Sequence, residues 1–218
     1  MNRAVIVCGA KIKDYEFVSS FFAEGDFFIY CDSGLVHEDR FLSKVDTNAG
    51  LIIGDFDSHQ IPERDVEIIE LPTVKDDTDS IYAIKEAISR GYKDILIVGA
   101  IGDRFDHSLV SAYALMLIND LGAIGKIVDD YSEMTLVYNR MSAEIEPNWR
   151  YFSLIAICGT ASGVTIKNSK YNLDNAIIDP KYQYAISNEV AGDEPAKVSV
   201  EEGVLLLIKD RQLYPYSM

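Results

Sequence analysis

Four short stretches place aspartate where an apolar run gives way to a turn. Gly54-Asp55-Phe56-Asp57-Ser58 follows Leu51-Ile52-Ile53. Carboxylates two residues apart beyond a strand can converge on one hard cation, because Mg²⁺ takes a few protein oxygens and shares the rest with phosphate. An Asx turn is the other use of the same residues. Lys75-Asp76-Asp77-Thr78-Asp79-Ser80 precedes a helical pattern. Helix capping accounts for a threonine and an acid there. Three aspartates in four residues exceed what a cap needs, and they repel one another unless a cation sits among them. Gly99-Ala100-Ile101-Gly102-Asp103-Arg104-Phe105-Asp106-His107 again lies between a strand and a helix. Its glycines allow close backbone approach, and Arg104 offers a planar fork for phosphate oxygens. Asp106 is placed to cap the helix. His107 then falls in the first turn, as a local hydrogen-bonding residue or as a base. Cys31-Asp32-Ser33-Gly34 adds one more aspartate after a strand.

The elements that must position these residues alternate in period. Strand-like runs at 4–8, 27–31, 51–53, 66–71 and 94–98 are separated by helical patterns at 14–24, 80–90 and 108–121, and a shorter helical stretch runs through Leu35, Val36 and Leu42. A further strand restarts at 126–128. Ile81, Ile84 and Ile88 form one stripe, with Gly91 as a stop. Alternation of this kind predicts an α/β unit: a mostly parallel sheet with helices on both faces, whose ligands bind beyond the carboxyl ends of the strands. The four aspartate-bearing strand ends then share one rim, a metal–phosphate site by composition. After residue 131 no helix is expected. Short runs at 133–138, 151–158, 164–167, 176–178, 184–186, 197–200 and 204–208 predict an all-β sandwich. The expected domains are therefore 1–130 and 131–218.

The chain has 218 residues and a formal net charge of −15. That charge repels nucleic acid and anionic lipid. A protein so acidic needs divalent cations to hold a polyanionic nucleotide. GxxxxGK[ST] and a GxGxxG after the first strand are both missing, which argues against a P-loop enzyme and an ordinary dinucleotide fold. The apolar runs near the two ends are too short for a signal or a membrane span. Three widely spaced cysteines do not form a disulfide framework. A cytoplasmic protein is the expectation.

In order along the chain, these motifs resemble the thiamine pyrophosphokinase family in its bacterial two-domain form. GDFDS at 54–58, KDDTD at 75–79, GxxGDRFDH at 99–107 and Asp32-Ser33-Gly34 are similar to family segments, as are Ser169-Lys170-Tyr171-Asn172-Leu173 and Ile186-Ser187-Asn188-Glu189. Ser33 and Asp103 each stand where the family has glycine, and Ile81 where it often has glutamate.

The resemblance implies transfer of pyrophosphate from ATP to the hydroxyl of thiamine, giving thiamine diphosphate and AMP. It implies Asp55, Asp57 and Asp79 as Mg²⁺ ligands and Arg104 as a phosphate contact, with the hydroxyl proton taken by one of these aspartates or by Asp106. Asp32, Ser58, Asp76, Thr78, Arg104 and His107 would line the ATP site. Tyr171, Ser187 and Asn188 would bind thiamine, a flat cation suited to an aromatic face. A homodimer is implied as well, with thiamine near the subunit interface. A related transferase with another acceptor, or a non-catalytic thiamine or nucleotide sensor, are the alternatives.

Overall fold

The computed structural model describes residues 3–41, 45–56, 63, 65–102 and 104–211. Two compact units divide the chain, Met1–Asp130 and Tyr131–Met218. The first is mixed α/β with a parallel sheet. The second is antiparallel β.

In the first unit, β1 (Arg3–Val7), β2 (Phe27–Cys31), β3 (Leu51–Gly54), β4 (Glu67–Glu70), β5 (Asp94–Val98) and β6 (Ile124–Val128) run parallel in the order β4-β3-β2-β1-β5-β6. β1, β2 and β5 are buried along almost their whole length, which is why they read as continuous apolar runs without alternation. The order reverses between β2-β1 and β1-β5. A crevice at such a reversal, outside the carboxyl ends of the strands, is where open α/β sheets bind ligands.

The helices are α1 (Tyr15–Ser19), α2 (Asp79–Ser89) and α3 (Phe105–Asp120), with a 3-10 helix at Asp32–Arg40. α1 packs on one face of the sheet, where Tyr15 and Val18 meet Val5, Val7, Phe28, Tyr30 and Val128. α3 lies over the other face: Leu115 and Ile118 close on Gly125, three residues out of step with Val128 along β6. α1 is shorter than the helix expected over 14–24. The Ser20 hydroxyl donates to the Phe17 carbonyl, the Arg3 guanidinium takes the Phe21 carbonyl, and Asp26 takes the Ala23 N–H. Side chains thus capture backbone groups that a longer helix would need. α3 starts three residues earlier than the spacing predicts, at Phe105 instead of Ser108.

In the second unit, β7 (Ser132–Tyr138), β13 (Val204–Asp210) and β9 (Tyr151–Ala156) pair antiparallel in that order. β11 (Leu173–Ile178), β10 (Ala161–Lys167), β12 (Ala196–Ser199) and β8 (Ser142–Ile145) form a four-stranded antiparallel sheet. Ile145, Phe152, Leu154, Val164, Ile166, Val198, Leu205 and Leu207, drawn from both sheets, share one core. The strand expected at 184–186 is absent. Ser187 has a φ of +55°, which breaks any ladder there. The segment is instead pinned through Ala185 and Asn188 to the backbone of Leu154 and Phe152. β8 was not anticipated: four residues with exposed Ser142 and Glu144 carry little apolar signal.

His37, on the 3-10 helix, is 2% exposed. Its Nε2 donates to the Ala10 carbonyl at 3.1 Å, and its Nδ1 accepts from the Tyr15 hydroxyl at 2.7 Å. It ties the loop after β1 to α1. Burial pushes its imidazole below the ordinary 6.5, with Arg40 adding to that and the Ala10 carbonyl opposing it. The unfolded chain therefore binds more protons than the folded one as the solution becomes acid, so this contribution is complete above 6.5 and fades as pH falls. Urea unfolding should show lower stability at about pH 5.5 than at about pH 7.5, and a His37→Gln variant should show a smaller difference between the two. An unchanged pH dependence in that variant would mean that other groups carry it.

Candidate metal–phosphate site

Asp32 begins the turn after β2, Asp55 follows β3, and Asp79 opens α2. Parallel strands that end together bring these three to one point, and one carboxylate oxygen from each lies within 4.8 Å of the others. Convergence depends on Gly54. A Cβ there would sit 2.6 Å from the Asp32 Cβ, closer than side chains approach. Gly34 is required nearby, since its Cβ would fall 2.1 Å from the Val7 carbonyl oxygen.

Asp32 is 4% exposed. Its Oδ2 and the Oδ1 of Asp79 are buried and accept no hydrogen bond from the described residues. Buried polar atoms in native proteins are almost always satisfied, so two buried oxygens of one carboxylate cluster without hydrogen-bond donors call for a further partner. Lys75 supplies part of it. Its Nζ donates to Asp55 Oδ2 at 2.5 Å and stands 3.1 Å from Asp79 Oδ1, an ion pair without hydrogen-bond alignment. Burial raises the Asp79 carboxyl above its ordinary 3.8; Lys75 pulls it down, and Asp55 and Asp32 push it up. Burial works against the Lys75 ammonium, but the hydrogen bond to Asp55 and the charge of both Asp55 and Asp79 outweigh that and raise it. All-oxygen, anionic donors of this kind fit a hard divalent cation.

Beside the triad lies a cavity of about 510 Å³. The loop after β1 (Cys8 to Lys11), Ser33, Thr78, the loop after β5 and the start of α3 line it. Thr78 caps α2, accepting from the Ile81 N–H. Arg104, His107 and Thr78 are thus brought to the cavity. Asp76 is exposed and does not line it. Asp106 stands apart from the triad. It is bound to Arg104 at 2.7 Å, with both side chains at least 66% exposed, and that bond holds its carboxyl below the usual range. Asp57, Ser58 and Asp103 lie outside the described residues. Lys75 and Lys11 had been given no role. The one signal for Lys75 was a cation directly ahead of an acidic run.

In the second unit, a cavity of about 320 Å³ is lined by Ile166, Tyr171, Leu173, Tyr184, Ala185, Ile186 and Asn188. The Tyr171 ring is 60% exposed at its mouth. Asn188 is committed to the protein: its Oδ1 accepts from the Tyr171 and Glu189 N–H groups, and its Nδ2 donates to the Tyr171 carbonyl. It fixes the Tyr171 loop. Ser187 is exposed and does not line the cavity, its N–H bonded to the Ser153 hydroxyl.

A carboxylate triad beyond the carboxyl ends of β2 and β3, beside a cavity lined by the loops after β1 and β5 and joined in one chain to an antiparallel β unit, defines a mixed α/β protein with a candidate metal–phosphate site. Two family models match in succession: thiamin pyrophosphokinase, catalytic domain, over residues 18–123, and thiamin pyrophosphokinase, vitamin B1 binding domain, over residues 140–205. The chain belongs to the thiamin pyrophosphokinase family. Among solved structures it is similar to thiamine pyrophosphokinase from Bacillus subtilis, at 24% identity and a TM-score of 0.83 over 97% of this chain and 100% of that one. The Geobacillus thermodenitrificans enzyme gives 24% and 0.79 over 97% and 98%. The Candida albicans enzyme gives 16% and 0.76 over 97% and 89%. At these identities the likeness is one of fold. No curated protein matches the chain.

Replacing Asp32 with Asn removes one of three crowded negative charges at nearly constant shape. Melted in EDTA, Asp32→Asn should be more stable than the parent, by roughly 2–4 °C for each kcal/mol of repulsion relieved. Mg²⁺ should raise the melting temperature of the parent and leave that of the variant nearly unchanged. A lower melting temperature in EDTA would contradict the account of the triad as electrostatically strained.

Proposed function

We propose that the protein is a Mg²⁺-dependent thiamine pyrophosphokinase that transfers pyrophosphate from ATP to the hydroxyl of thiamine, with AMP as the other product. The observation that carries the metal dependence is the triad of Asp32, Asp55 and Asp79, with its two orphaned oxygens, opening beside the larger cavity. In this proposal the first unit is the nucleotide- and metal-binding domain. The second is a β-sandwich that binds thiamine. Asp32, Asp55 and Asp79 hold Mg²⁺, joined by Asp57. The bound ion supplies positive charge that offsets the repulsion between phosphate oxygens and an acidic protein.

The chain's own groups do the positioning, which is most of what phosphoryl-type transfer needs. The loops after β1 and β5, with the Lys11 and Arg104 side chains, line the cavity that would take the phosphates. Arg104, whose exposed side chain is paired among the described residues with its neighbour Asp106, can swing its fork onto the transferred group. Lys75 holds Asp55 and Asp79 in place and remains a cation within reach of the phosphates. The thiamine oxygen forms a bond to the β-phosphorus as the bond from that phosphorus to the α,β-bridging oxygen breaks. A carboxylate of the rim takes the hydroxyl proton. Asp106 is a weak base for this, since Arg104 lowers its carboxyl.

The exposed ring of Tyr171, next to Tyr184 and Ile186 at the smaller cavity, supports a stacking site for the thiamine cation. The exposed Ile177 and Tyr182 alongside support a homodimer through this unit. Among the described residues no helix is long and apolar enough to cross a membrane, and the three cysteines are free. Free thiols support the cytoplasm as the site of action.

AMP release from ATP, thiamine and Mg²⁺ tests the proposal, and EDTA should stop it. Asp55→Asn should abolish turnover while thiamine binding, followed calorimetrically, survives. Retention of full AMP release by that variant would remove Asp55 from the metal site. Tyr171→Ala should weaken thiamine binding by about 2- to 30-fold, the equivalent of a single cation–π contact, and leave ATP binding intact.

A further inference from the structure

β1 and β2 are parallel neighbours whose last paired residues are Val7 and Tyr30. One step further on along the same parallel register, Cys8 and Cys31 fall on neighbouring strand ends. Both line the larger cavity. Cys31 is buried at 3% exposure, and Cys8 is half-buried. Neither has a part in the transfer described above. We propose that Cys8 and Cys31 form a dithiol modification site in the floor of the nucleotide cavity, oxidised by peroxide to a disulfide that switches the metal site off.

The geometry favours closure. Adjacent strands lie about 4.7–4.9 Å apart, within the roughly 4.4–6.8 Å between Cα atoms that a disulfide spans. Cys8, the more exposed of the two, meets the oxidant first. Its sulfur attacks one peroxide oxygen, the O–O bond breaks, and a sulfenic acid and one water result. The Cys31 sulfur then attacks the Cys8 sulfur, the S–S bond forms, and a second water leaves with the Cys31 proton. Two thiols give up two electrons, and one peroxide becomes two waters.

Closure has a mechanical consequence. A disulfide holds its two Cβ atoms about 3.8 Å apart, so two Cβ atoms that start about one strand spacing apart must tilt toward each other by about 1 Å. Cys31 is bonded directly to Asp32, the most buried carboxylate of the triad. Misplacing a positioned group by about 1 Å costs on the order of 100-fold in rate. Cys158, exposed in the second unit, is the built-in control.

The effect on rate rests on the metal-dependent transfer proposed above; the disulfide itself does not, so the two can fail separately. The reduced full-length protein is treated with hydrogen peroxide and mapped as peptides without reductant, and AMP release is followed in parallel. The expected result is a Cys8–Cys31 cross-link, a rate lower by about 100-fold, and recovery of both on adding dithiothreitol. Cys8→Ser and Cys31→Ser should each keep their own untreated rate after peroxide, and Cys158→Ala should respond as the parent does. Phenylarsine oxide, which bridges two close thiols, should protect Cys8 and Cys31 of the parent from alkylation, a readout that needs no variant to fold. Absence of the cross-link, or alkylation of both thiols despite the arsenical, overturns the site. A cross-link that leaves the rate unchanged, or a loss of rate that persists in Cys8→Ser, overturns the switch.

Discussion

Three carboxylates held within 4.8 Å of one another at a buried edge repel strongly, and the first unit is organised around tolerating that. At an effective dielectric of about 20, each such pair costs on the order of 3 kcal/mol. One ammonium, that of Lys75, offsets part of it and leaves two oxygens without donors. The crowding persists because each aspartate is fixed by a different element: β2, β3 and α2 all deliver one, and none can retreat without unravelling a strand end or a helix cap. The carboxylates are thus held in place by the fold itself, and the proposed cation would require little movement to bind.

The same arrangement reconciles a net charge of −15 with a nucleotide substrate. The acid is not spread evenly over the cavity. It is concentrated on one side, while backbone loops after β1 and β5 and the basic side chains of Lys11 and Arg104 form the rest of the wall. The second unit has a different character. Its cavity is lined mostly by apolar and aromatic side chains, and Asn188 holds Tyr171 through two hydrogen bonds. Charge compensation and aromatic stacking are therefore carried by separately packed cores, each with its own hydrophobic cluster.

Much of this was legible in the residues. Buried parallel strands announce themselves as apolar runs, so β1, β2, β3 and β5 were found within a residue or so, and aspartates after strand ends pointed to a common rim that contains Asp32, Asp55 and Asp79. Spacing was less informative where side chains decide the backbone. Arg3, Ser20 and Asp26 shorten α1 from a distance that no local pattern reveals. The left-handed Ser187 turns an expected strand into a pinned loop, and β8 has too few apolar residues to stand out. Motif matching pointed to Asn188 as a thiamine contact; the structure shows its amide spent on the protein's own backbone. It also grouped Asp106 and Asp76 with the site, because neighbours in a motif need not face the same way: one is tied to Arg104 at the surface, the other is exposed outside the cavity.

Gly54 and Gly34 leave no room for any larger residue at the edge where the carboxylates meet. That edge therefore has almost no latitude for evolutionary drift, since even a methyl group would displace Asp32 or the end of β1. The aromatic-lined pocket of the other unit has no such restriction. Over generations, a lineage built on this scaffold would be expected to diversify what it phosphorylates while leaving its triphosphate chemistry nearly frozen.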